Sequence, residues 1–310
     1  MNQHISHAIT RLRVVATLVI VAYHAACPYG GWEAFTGTVC GGGGDKMTSM
    51  ELINIVFQRL LCNDMLPLFF TLSGMLFYGR KSAHVDALSI FWKKFDRLIV
   101  PAALVFLFCS WFDIPFVGHA GPEGHLWFVY VLFLYFSFSL MLKKVSVHVL
   151  MFFAVAGYMI YTLTGRLKLD FSPFVLQLLR YYIYFIGGYY LFKYYHLLRK
   201  NIVRWPLLCL HILSLYVNFQ TGYFLFFNLV ILAFIPQGEI ASRMVKSLNE
   251  NSFGIYLIHH VLIVALFQVN FVYQGYADYP LQAITLMFFF ILLLAWCLSY
   301  ILHRIRFTYF

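Results

Sequence analysis

Long apolar stretches alternate with short polar ones along this chain. Ten apolar runs stand out, at 12–31, 52–79, 98–116, 125–142, 146–164, 174–194, 203–219, 222–236, 252–273 and 281–302. A helix needs about 20 apolar residues to cross the hydrocarbon core of a bilayer, so the pattern predicts ten transmembrane helices. The second run is too long for one straight crossing. Pro67, Ser73 and Gly74 lie within it and predict a kink, a tilt or a cytoplasmic extension. Runs seven and eight are separated only by Gln220, Thr221 and Gly222, and read as a helical hairpin. The first run lacks a signal-peptide cleavage pattern and reads as a retained span. The expected fold is an all-α polytopic membrane bundle, with residues 1–310 as a single membrane domain and no internal repeat.

Composition agrees with lipid as the solvent. The chain is 62% hydrophobic and 11% charged, with a mean hydropathy of +0.78. A water-soluble domain carries about 25% charged residues. The formal net charge of +10 does not point to nucleic acid, because the basic residues sit in short clusters between the apolar runs. Seventeen of the 22 lie in one alternating set of segments, from Arg11 and Arg13 to Arg304 and Arg306. The other set holds Lys46, Arg166 and Lys168, while Arg59 and Arg180 fall inside runs. The positive-inside rule then places both termini in the cytoplasm, which an even number of spans requires. Residues 30–50 lie outside, and the glycine run at 41–44 reads as a surface loop, since it neither follows a strand nor opens a GKS/T motif. The six cysteines show no CxxC and no metal-ligand spacing, so no metal is expected. Cys27 and Cys40 flank the outer loop, where a disulfide is an open alternative.

A charge in hydrocarbon costs roughly 2.5–3.5 kcal/mol even on a lenient scale, so intramembrane ionisable groups are the first candidates for function. His24 follows Arg13 by eleven residues, about 16 Å along a helix axis, which puts it near mid-bilayer with Arg13 at the cytoplasmic mouth. Asp64 lies at similar depth in the second run, about 20 Å from its outer end. His259 lies about 10–12 Å from the inner start of the ninth. A carboxylate or imidazole beside His24 would orient its ring as a general base requires. Structural readings stand beside these. Asp64 pairs with Arg59, or it serves His24. His211 and His260 read as hydrogen-bonded packing residues. Arg180, among Tyr181, Tyr182 and Tyr184, reads as held by cation–π contact or snorkelling. On the cytoplasmic side, Arg80, Lys81, Lys93, Lys94 and Arg97 fall in what reads as one loop. Five cations there suit a ligand with several phosphates, or else anionic lipid headgroups.

Five segments in order resemble the acyltransferase-3 family of membrane acyltransferases. RVVATLVIVAYH at 13–24 is similar to its Arg-x10-His signature, and PLFFTLSGMLF at 67–77 to its P-x-FF-x-x-SG segment. FWKKFDRLIVP at 91–101 resembles the basic Arg-x-x-Arg segment before a proline. HLWFVYVLFLY at 125–135 and SFGIYLIH at 252–259 resemble two further stretches. The resemblance implies ten core helices and acyl transfer from cytoplasmic acyl-CoA to a hydroxyl of a glycan or other acceptor. It gives His24 the catalytic role and Arg13 a place near the acyl-CoA, and it sets Lys94 and Arg97 on the basic pair. Two departures matter. Lys94 stands where the family has arginine, which keeps the charge but loses a bidentate phosphate grip. The stretch LWFVYV has no glutamate where polysaccharide-modifying members often carry W-S-L-x-x-E, which moves this chain toward the enterobacterial-common-antigen-type and glucan-type members. No esterase-like domain follows the last run, so the membrane part is expected to complete the transfer.

The expected enzyme is thus an acyl-CoA-dependent O-acyltransferase of the cytoplasmic (inner) membrane, bacterial by resemblance. Its co-substrate would be acetyl-CoA or another acyl-CoA, and its acceptor a glycan or lipid-linked sugar. His24 would take the proton of the acceptor hydroxyl, with Asp64 or His259 orienting it. Arg13, Arg80, Lys94 and Arg97 would hold the donor. Asn63, Ser73, Trp127 and Tyr256 are the candidates for substrate or oxyanion contact. The rival reading is a proton-coupled transporter or flippase with a His/Asp relay, although the paired broken helices common in transporters are missing from the sequence. A non-catalytic membrane scaffold is the third reading. Acceptor identity and oligomeric state stay open.

Overall fold

The computed structural model describes residues 3–26, 63–79, 86–111, 126–217, 220–236, 238–240 and 242–304. Among them lie eleven helices and no strand. They are α1 (Gln3–Ala26), α2 (Asn63–Gly79), α3 (Ala87–Trp111), α4 (Trp127–Met141), α5 (Val147–Leu167), α6 (Pro173–Leu198), α7 (Asn201–Tyr216), α8 (Gln220–Phe234), α9 (Arg243–Phe267), α10 (Asn270–Asp278) and α11 (Pro280–Arg304). Four stretches are long and apolar enough to cross a membrane: Ile5–Ala26, Val147–Leu167, Arg243–Phe267 and Leu281–Arg304. Met65–Gly79 and Trp127–Met141 are shorter apolar helices.

Several boundaries differ from those read in the sequence, each for a local reason. The third helix begins at Ala87, not 98, because an Asp86 carboxylate oxygen accepts a hydrogen bond from the Ser89 N–H at 3.3 Å and caps it. Lys93, Lys94 and Arg97 therefore ride on a helix, not in a loop. The ninth run is two elements. Its helix starts at Arg243, ends at Phe267, and gives way to α10. There the bonds tighten to a three-residue spacing, from Gln268 N–H to Ala265 O and from Val269 N–H to Leu266 O. Gln220, Thr221 and Gly222, read as the hairpin turn, belong to α8.

The described helices fall into two compact groups. The first comprises Met1–Arg13, Asp64–Lys94 and Tyr130–Arg243. Its centre is aromatic. Phe70, Tyr135, Tyr181 and Phe185 are all nearly inaccessible, with Phe70 stacked on Tyr181 at 5.1 Å and 5.3 Å from Tyr135. The Tyr135 hydroxyl donates to Leu178 O at 2.8 Å, which satisfies a polar group that lipid could not. Helices α2 and α6 touch backbone to backbone. A methyl group placed on Gly188 would lie 2.5 Å from Thr71 O and 2.6 Å from Met75 N, and one on Gly74 would overlap the Phe185 carbonyl. The Ser73–Gly74 pair of the PLFFTLSGMLF segment thus has a packing reason, since small residues let helix backbones close in. Helix α5 starts at a Ser146 cap and α6 at Ser172–Pro173, two local stop-and-start signals.

Arginines secure the end of α8. Arg11 donates to Pro236 O at 2.6 Å and to Glu239 O at 3.2 Å, and Arg199 donates to Ile235 O at 2.7 Å. Cations suit the carbonyl-rich C-terminus of a helix. Arg180 lies against the rings of Tyr181 and Tyr161, at 5.0 and 5.4 Å from their centroids, so one of its two rings comes from another helix, α5.

The second group comprises Val14–Asn63, Phe95–Val129 and Met244–Phe310. Its core joins α1, α9 and α11 through Val21, Ala25, Ile255, Ile263, Ile291 and Ala295. Polar pairs reinforce it. Ser299 Oγ donates to Asn251 Oδ1 at 3.0 Å, and the Trp296 indole N–H donates to Ser247 Oγ at 3.1 Å. Interhelical bonds of this kind hold membrane helices together where hydrophobic burial gives no preference over lipid. The span in α9 is 67% buried against 22% for that in α11, so α9 is the enclosed helix of this group.

Candidate active site

Helix α1 carries both Arg13 and His24 without interruption. Eleven residues at about 100° each bring the chain round to within about 20° of the same face, three turns on. The spacing of the Arg-x10-His segment is therefore that of two groups aligned along one helix stripe. Both side chains are half-buried.

His24 meets two histidines of α9. Its ring centroid lies 4.5 Å from that of His260 and 5.2 Å from that of His259, with Tyr23 at 5.0 Å on its own helix. His259 is fully buried and His260 nearly so. The Nδ1 of His259 lies 2.9 Å from the Ile255 carbonyl. A carbonyl only accepts, so Nδ1 carries the proton and Nε2 keeps the lone pair. Tyr256, one turn before, packs at 5.9 Å from His259 and 5.5 Å from Phe128. Trp127 precedes Phe128 on α4, and the two rings meet edge-on at 6.3 Å. The arrangement is a buried imidazole cluster walled by aromatic rings. It does not amount to a metal centre, since no group of His, Cys, Asp or Glu among the described residues has the geometry to hold an ion.

The remaining candidates are placed as follows. Ser73 is half-buried on α2, in the first group. Lys94 sets its ammonium 3.8 Å from the Phe136 ring centroid, and Arg97, one turn on, is exposed. Asn63 and Asp64 open α2, but their side chains lie outside the described residues, as do Arg80, Lys81, Arg59, Cys27 and Cys40. His259 stands about 24 Å along its helix, not 10–12 Å, because α9 starts nine residues earlier than the run suggested.

His260, read from the sequence as a packing residue, is the imidazole nearest His24. The available signal was the His259–His260 doublet itself. Neighbours on a helix point about 100° apart, so two adjacent histidines can flank one ring from another helix. His211 keeps the packing reading, its ring 5.7 Å from that of Phe227.

Among the described residues the chain is all-helical, and its apolar helices long enough to cross a membrane are those of an integral membrane protein. The profile of the acyltransferase-3 family, an acyltransferase domain, matches residues 6–304, and the chain belongs to that family. The match covers α1 to α11 and so includes both helices of the imidazole cluster. Neither the curated proteins nor the solved structures contain a match to this chain. The chain is therefore a membrane enzyme that transfers acyl groups.

Proposed function

We propose that this acyltransferase moves an acetyl group from cytoplasmic acetyl-CoA to a hydroxyl of a glycan or lipid-linked sugar of the cell envelope, with His24 as general base. The observation that carries the reading is the stripe on α1. It aligns a cation with a half-buried histidine, and that histidine is flanked by His259 and His260. The acceptor oxygen attacks the thioester carbon while His24 takes its proton. The carbon–sulfur bond then breaks, the CoA thiolate leaves, and the proton on His24 passes to that sulfur to give free CoA. His259, fixed as the Nδ1–H tautomer, orients His24 through its Nε2 side. Tyr256 is the candidate for donating to the developing oxyanion.

Donor phosphates are assigned to Arg13, Arg80, Lys94 and Arg97. For Lys94 a phosphate would replace contact with the Phe136 face, worth about 0.5–1 kcal/mol at an exposed site. Arg11 and Arg199 are left out of this set because backbone carbonyls already hold them. Ten crossings with both termini inside, in the inner membrane of a bacterium, complete the proposal. The 17 basic residues gathered on one side of the ten runs support the orientation.

The test is transfer from radiolabelled acetyl-CoA in membranes carrying the protein. Label should enter the envelope glycan or lipid fraction together with release of CoA. Substitution His24→Ala should stop both while the protein still runs as a monodisperse species in detergent. Undiminished transfer by that variant would remove His24 as the base. Proton-coupled solute uptake without CoA release would favour transport instead.

A further inference from the structure

The imidazole closest to His24 is one that the acyl-transfer reading leaves without a role. His260 is 5% exposed, and its ring lies 4.5 Å from that of His24, tilted by 56°. The same ring is 6.3 Å from that of His259, so the His24 ring makes a closer approach to each than they make to each other. Burying an imidazole costs desolvation of two ring nitrogens, and a leucine or phenylalanine would fill the same volume without that cost. The ring contact with His24 offers an electrostatic reason for an imidazole at this position. A general base becomes an imidazolium at the moment it acts, in surroundings where a cation is poorly solvated. An imidazole in ring contact places a large dipole within reach of that charge.

We infer that His260 is a positioning residue for His24, stabilising the transient His24 imidazolium through the dipole of its ring. The inference rests on the assignment of His24 as general base. Two substitutions separate the dipole from the packing. His260→Phe keeps a ring of similar size and removes the dipole. His260→Gln loses the ring and keeps a carbonyl that can face the cation.

The experiment measures kcat and KM for acetyl-CoA in membranes with the labelled donor, together with the thermal midpoint of each purified variant. His260→Phe should lower kcat about 10- to 100-fold, the range of one charge-assisted polar contact, with KM unchanged. His260→Gln should stay within about 3-fold of the parent. A packing role gives the reverse order, with phenylalanine active and glutamine impaired alongside a lowered midpoint, and overturns the inference. Equal kcat in all three proteins overturns it as well. Two controls report on the underlying reading. No label transfer by the parent protein, or full transfer by His24→Ala, sinks the general-base assignment and this inference together. An active parent with an inactive His24→Ala and an unimpaired His260→Phe sinks this inference alone.

Discussion

The two helix groups hold themselves together by opposite means. In the first, α2 and α6 close on each other through Gly74 and Gly188, and Phe70, Tyr135, Tyr181 and Phe185 fill the space beside the crossing. In the second, α9 meets α1 through three imidazoles and meets α11 through Asn251, Ser299, Ser247 and Trp296. The difference teaches where this chain can tolerate polarity. The glycine crossing leaves no room for even one carbon, so its specificity is steric. The histidine contact keeps several buried nitrogens, whose burial costs free energy that a purely apolar contact would not.

That contrast can be broken at either end. The largest effect is expected for activity in the second group. His24→Ala should lower transfer by about 10²–10⁴-fold, the usual contribution of a general base, with little change in thermal midpoint. Gly74→Val should do the opposite. Its new carbons meet the Phe185 carbonyl, a backbone atom that cannot rotate away, and overpacking of this kind costs about 1–3 kcal/mol or more. A lowered midpoint or loss of the monodisperse peak in fluorescence-detected size exclusion would register it, and an unchanged profile would show that the two helices are not in backbone contact. Tyr135→Phe removes the donor to Leu178 O and should cost about 1 kcal/mol, read by the same thermal measurement. Ser299→Ala, which deletes the hydroxyl shared between Asn251 Oδ1 and Asn251 O, should cost least, about 0.6 kcal/mol. Should Ser299→Ala prove more damaging than Gly74→Val, the steric-versus-polar distinction drawn here would be wrong.

The sequence made the apolar runs legible because lipid imposes a single rule, about 20 apolar residues per crossing, and a charge interrupts the pattern sharply. Arg13 and His24 were legible for the same reason, as ionisable groups that hydrocarbon tolerates poorly. The extra turns at the start of α3 were not. Residues 87–97 mix Lys93, Lys94, Asp96 and Arg97 with apolar positions, and hydropathy alone reads such a mixture as a loop. The cap at Asp86 decides the matter through a bond to Ser89, which no hydropathy window weighs. The split of α9 from α10 was hidden similarly, because residues 252–273 are apolar on both sides of the break. The contact of His260 with His24 was not legible because it depends on which way a helix turns its side chains relative to another helix 236 positions earlier in the chain. Arg11 and Arg199 looked like topology signals, and their additional work on the carbonyls after α8 needed coordinates to be seen.

The bond from Arg11 to Pro236 joins residues 225 positions apart. Arg11 is synthesised well before its acceptor carbonyls at Pro236 and Glu239. At about 5–20 residues per second, roughly 10–45 s of synthesis separate the two. During that interval the Arg11 guanidinium has no access to these carbonyls. The helix bearing the proposed base is thus threaded first and fastened late, so a partly synthesised chain cannot hold it in its final place.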